Sequence, residues 1–105
     1  MATTSKTLFR GAATTSVTTL LYTVPSLTTT VITNIAVVNT STTQQTFTLS
    51  IGTSASEVAL HTATVIDPNT TTYIDCKQVL TAAQVIDGGA SATSVSFHIA
   101  GVEIS

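Results

Sequence analysis

The side chains able to do acid–base, nucleophilic or metal chemistry are few: His61 and His98, a single Cys76, and the carboxylates Glu57, Asp67, Asp75, Asp87 and Glu103. Each chemistry needs company that these residues lack. A zinc centre takes three or four N, S or O ligands. Neither histidine has a second ligand at a binding spacing, and only assumption would add Asp75 or Cys76. One cysteine excludes an intrachain disulfide and a cysteine-rich zinc site, and it reads as a small buried hydrophobe. Ser, His and Asp are all present, but there is no nucleophile elbow and no Gly-rich loop opening a helix. The acids are dispersed, whereas a glycosidase sets two across a cleft. The sequence therefore predicts no enzyme, no catalytic residue, no metal and no cofactor.

Binding chemistry is also sparse. Trp is absent, and Phe9, Phe47 and Phe97 fall on positions that read as core. Tyr22 and Tyr73 each lie close to a proline corner, Pro25 and Pro68. Such tyrosines form a small binding patch for saccharides, anchor a turn or line a subunit contact. The cations are Lys6, Arg10 and Lys77, and the net charge is −2 with a pI near 5.3. That excludes a basic footprint for nucleic acid and a polybasic membrane patch.

The elements that position these residues announce themselves more clearly. Threonine fills about one position in four, and charged residues are only 8% of the 105. Thr is β-branched and polar at once, so it suits a pleated strand while keeping the outer face wet without charge. Period-2 alternation recurs, and no stretch longer than about eight residues has a clean helical period. In Gln45–Ile51, Phe47, Leu49 and Ile51 face one way, with Thr46, Thr48 and Ser50 opposite. Ala92–Ala100 repeats this with Val95, Phe97 and Ile99 inward, and Ser94, Ser96 and His98 outward. His61 is likewise placed on an outward face. After Gly101 the apolar parity moves to Val102 and Ile104, which predicts a bulge in the last strand.

Further strands are expected at Lys6–Ala13, Val17–Val24, Thr29–Asn39, Glu57–Ile66 and Thr70–Asp75, with a short one at Gln84–Ile86. In the third, Val31, Ile35 and Val37 are set on one face and Ile32, Ala36 and Val38 on the other. Both faces are apolar, which predicts a central strand or a covering partner. One helical turn is expected at Leu80–Gln84, capped by Thr81. Turn chemistry marks Gly11–Ser16, Pro25–Leu27, Asn39–Thr43, Gly52–Ser56, Asp67–Asn69 and Asp87–Gly89. Pro25-Ser26-Leu27-Thr28 and Pro68-Asn69-Thr70 read as two equivalent corners. About seven to eight strands spaced by about ten residues predict one all-β domain over 1–105, an antiparallel β-sandwich of immunoglobulin-like or jelly-roll type. No apolar stretch resembles a secretory leader, and none approaches the ~20 residues of a membrane span, so a soluble, unsecreted chain is expected. A surface so poor in charge suits a subunit packed against something better than a free monomer.

The runs Lys6–Ala13, Leu20–Pro25 and Val31–Thr40, with Phe47–Gly52 and Val95–Ile104, resemble small β-sandwich structural proteins of tailed bacteriophage virions. The resemblance spans nearly the whole chain and rests on patterns of strand and turn. It implies a non-enzymatic capsid decoration (minor capsid) protein that binds the outer shell lattice, or a tail or baseplate accessory protein. The implied partners are the major capsid protein or another virion protein and further copies of the chain, with a trimer favoured. The implied location is the virion, after synthesis in the bacterial cytoplasm. A third reading is a carbohydrate- or host-surface-binding module. Ala2–Arg10 is expected either as a partner-facing arm or as an ordinary first strand, and the partner-binding residues are expected to be Lys6, Phe9, Arg10, Tyr22 and Tyr73.

Overall fold

The computed structural model describes residues 3–74 and 77–105. Ala2, Asp75 and Cys76 lie outside the described residues, so the readings of Cys76 and of the strand end at Asp75 are not placed. Nine strands are present among the described residues: β1 Thr3–Ala12, β2 Leu20–Thr23, β3 Thr29–Asn39, β4 Gln45–Thr53, β5 Val58–Ile66, β6 Thr70–Ile74, β7 Gln78–Leu80, β8 Gln84–Ala90 and β9 Val95–Ile104. One sheet runs β1-β9-β3-β6, with β7 also on β3, and the other runs β2-β8-β4-β5. All pairings are antiparallel. The chain crosses repeatedly between the sheets, so sequence neighbours seldom pair. This order is a jelly roll, which decides between the two sandwich types expected from sequence.

Alternation builds the core. Phe47 and Leu49 of β4 and Ile86 of β8 face Ile32, Ile35 and Val37 of β3 and Val95, Phe97 and Ile99 of β9, all buried. Phe47 meets Phe97 edge-on, with ring centroids 6.3 Å apart, a favoured aromatic geometry.

Several sequence expectations are corrected, each for a local reason. The expected strand Val17–Val24 shrinks to β2. The Thr14 and Thr19 hydroxyls both donate to the Ser16 carbonyl at 3.0 Å, and such side chains compete with ladder bonds. Asp87-Gly88-Gly89 is not a turn but the middle of β8. A Cβ on Gly88 would lie 2.7 Å from the Thr48 carbonyl oxygen, and one on Gly89 2.2 Å from that of Ser16. These glycines serve close backbone approach within a strand. Thr81–Gln84 is a hydrogen-bonded turn, not helical, with Ala83 at φ 70°.

The phase change near Gly101 lies in the neighbouring strands. Ala100 pairs with Thr7 and Asn34, Ile99 with Phe9, and Gly101 with Ile32, so Leu8 and Thr33 are the extra residues. β9 keeps its parity, and Glu103 faces inward while Val102 and Ile104 face out. The Thr33 bulge also resets β3: Ile32, Ile35 and Val37 are buried, and Val31, Ala36 and Val38 lie on the outer face.

The two proline corners share one geometry. Leu27 (φ 56°) and Asn69 (φ 52°) are left-handed, and the following Thr28 and Thr70 hydroxyls donate to the carbonyls of Ser26 and Pro68, at 3.0 and 2.9 Å. Asn39, fully buried, ties the end of β3 to the β5–β6 corner: its amide donates to the Thr43, Ile66 and Asp67 carbonyls at 3.0, 3.3 and 3.2 Å.

Candidate functional site

The histidines are placed in different sheets. His61 of β5 is half-buried, its ring centroid 5.5 Å from that of Phe47, which corrects its outward assignment. The bulge at Ala63 (φ 46°) shifts the register of β5 and turns the ring toward the core. His98 of β9 does lie on the outer face, beside Ser96. Among the described residues, no three His, Cys, Asp or Glu side chains form a group able to hold a metal ion.

The acids are less dispersed than the sequence implies. Asp87 of β8 is buried, and its carboxyl shares a hydrogen bond with that of Glu57 from the β4–β5 turn. Burial first, then the bond to and charge of Glu57, push the Asp87 carboxyl up to about 6. The bond to Asp87 holds Glu57 below its ordinary value. A hydrogen bond between two carboxyls needs a proton on one of them, and the direction of the shifts assigns it to Asp87. A substrate-spanning pair is separated by a cleft, so this contact is not the geometry of glycoside hydrolysis. Only the fold brings these residues together, and no spacing in the sequence encodes the pair.

Of the expected partner-binding residues, Lys6 and Tyr22 meet through Glu103. Tyr22 is buried between the sheets, its hydroxyl donating to Glu103 Oε2 at 2.5 Å and lying 2.8 Å from Thr30 Oγ1. Desolvation first, then the bond to Glu103, raise its pKa to about 12. Lys6 Nζ reaches the same carboxylate at 3.4 Å. This network closes one end of the sandwich and uses the Tyr22 hydroxyl, so Tyr22 and Tyr73 do not form one patch. Phe9 is half-buried and packs on the core. The segment from Thr3 to Arg10 belongs to β1, paired along β9, with Leu8 buried.

Arg10 and Tyr73 remain exposed, and the register aligns them. Arg10 pairs with His98, His98 with Ala36, and Ala36 with Tyr73. These four form one rung across β1, β9, β3 and β6 on the outer face of the larger sheet. Tyr73 is 71% exposed. Beside it, Thr7, Arg10, Asn34, Ala36, His98, Ile99 and Ala100 line an open cavity of about 160 Å³. The register puts no Asp or Glu on this outer face among the described residues. The apolar end of the same face carries Val31, Val79, Val102 and Ile104. Sequence reasoning named Arg10 and Tyr73 separately but missed Asn34 and Ala36, because the Thr33 bulge hides which residues of β3 face out.

No family model matches the chain, and no curated protein does. Two solved structures are similar in fold. A chain in the crystal structure of the T13 particle of infectious bursal disease virus aligns over 97% of this chain at 12% identity, with a TM-score of 0.60. A chain in the structure of the Gx strain of that virus aligns over 97% at 15% identity, with a TM-score of 0.55. The chain spans about 30% and 32% of those chains' lengths. What is shared is the fold: this chain's jelly-roll sandwich resembles part of a chain found in a viral particle.

Proposed function

We propose that the protein is a non-enzymatic structural component of a virion, and that its role is capsid decoration in a tailed bacteriophage. The observation that supports this most is the strand order, a jelly roll over nearly the whole chain, similar to domains in two viral particle structures. The phage assignment rests on the sequence resemblance.

The proposed contact surface is β5, one of the two edge strands of the smaller sheet. Val58–Ile66 holds no Lys, Arg, Asp or Glu, the residues that usually guard an edge. Val58 and Val65 are 71% and 51% exposed. The bulge at Ala63 interrupts the ladder, so a neighbouring virion protein or copy packs on these side chains rather than extending the sheet. Stabilisation follows from binding the assembled lattice in preference to free subunits. Symmetry repeats the contact, and linked copies, as in a trimer, gain avidity from a modest interface.

The test is to add purified protein to expanded shells of the virus that encodes it. Saturable binding at a lattice-fixed ratio and a raised shell-disruption temperature are expected, and Val58→Lys should weaken both. Binding to tail tubes and not to shells would reject decoration in favour of a tail accessory role.

A further inference from the structure

We propose that the Arg10–His98–Ala36–Tyr73 rung is a binding site for a uronate-bearing saccharide of two or three rings. Four observations converge on it. Among the described residues, Arg10 makes no ion pair and the register puts no carboxylate on the outer face around it. A planar guanidinium without an ionic partner among the described residues matches a carboxylate, which it can hold through two parallel bonds. Next to it, Thr7, Asn34 and His98 line the cavity of about 160 Å³. A hydroxyl, an amide and an imidazole offer the mixed donors and acceptors that sugar hydroxyls need. The floor is made of Ala36 and Ala100, whose small side chains create the depression. Finally, Tyr73 stands 71% exposed at the far end of the rung, an aromatic ring open to solvent.

The dimensions restrict the ligand. Arg10 and Tyr73 lie three strand spacings apart, about 14 Å. A lone anion would reach Arg10 and not Tyr73. A short saccharide can place its carboxylate on Arg10, its hydroxyls on Asn34 and His98, and a further ring against Tyr73. One arginine is too little charge for a nucleic-acid backbone, which is bound by many cations. The site lies on the larger sheet, away from the β5 edge, and does not depend on the virion reading.

The experiment is saturation-transfer NMR and calorimetric titration of the intact chain with tri-galacturonate. The same is done with neutral tri-galactose and with sodium sulfate as comparison probes. Tri-galacturonate is expected to bind saturably, with Kd on the order of 1 mM or tighter. Arg10→Gln and Tyr73→Ser are each expected to weaken it by about tenfold. Both positions are exposed, and an unchanged melting temperature would show that the fold is intact. Neutral tri-galactose should bind at least about tenfold more weakly. Absence of tri-galacturonate binding up to about 10 mM would overturn the proposal. So would affinity unaffected by Arg10→Gln, or sulfate binding as tightly as the saccharide.

Discussion

Phe47→Ala probes the core directly. Phe47 is 1% exposed, lies edge-on to Phe97 at 6.3 Å, and has His61 against it at 5.5 Å. It bridges the sheets, so neither can close the gap without distorting its own ladder. Removing a buried Phe costs about 3–5 kcal/mol, including the cavity left behind. A domain of this size has only about 5–15 kcal/mol in total. At about 4–8 °C per kcal/mol, the melting temperature should fall by about 12 °C or more. Urea denaturation followed by far-ultraviolet circular dichroism gives the free energy, with the slope expected to stay unchanged because the same surface is exposed on unfolding. Val79→Ala, at a position 62% exposed on the outer face, is the matched control and should stay within about 0.5 kcal/mol. A Phe47→Ala loss below about 1 kcal/mol, or one no larger than the control's, would refute the inward assignment of β4.

Three further outcomes are expected. Gly89→Ala should destabilise by about 1–3 kcal/mol in the same urea assay, because the new methyl collides with the Ser16 carbonyl; a neutral result would mean the 14–19 segment does not cross β8 so closely. Asp87, with its carboxyl near 6 in the folded chain and near 4 when unfolded, holds a proton between those values that the unfolded chain has lost. Its contribution to stability therefore falls as pH rises from about 4 to about 6, while Glu57, shifted down, contributes in the opposite sense at the lower end of that window. Asp87→Asn should flatten the decline in melting temperature across that range, and an identical decline in the variant would contradict a proton held on Asp87. Leu27→Asn should raise stability by up to about 1 kcal/mol, since Leu27 is 92% exposed at φ 56° and Asn tolerates that conformation better; a clear loss would assign the leucine a packing role.

The parts of the fold legible in the sequence were those fixed by local rules. Alternation placed Phe47, Leu49, Phe97 and Ile99 inside, and the Pro25 and Pro68 corners share a geometry because the same residue types close both turns. What stayed hidden depended on partners distant in sequence. Leu8 and Thr33 both sit at the level of Ala100, and a bulge is defined by two strands, so reading β9 alone put the irregularity in the wrong one. Gly88 and Gly89 looked like a turn because nothing local reveals the backbone crossing over them. The Glu57–Asp87 pair joins residues thirty positions apart, and the Arg10–Tyr73 rung joins four strands. The site's residue types were therefore visible, while its composition awaited the register.

The central claim, that this jelly roll is a component of a viral particle, is tested most directly by determining the structure of purified virions of the encoding virus by electron cryomicroscopy. The account predicts density for the nine-stranded sandwich repeated at equivalent lattice positions, with the β5 edge against a neighbour and the Arg10–Tyr73 face toward solvent. Particles that lack the chain, or that hold it with that face buried and β5 free, would contradict it.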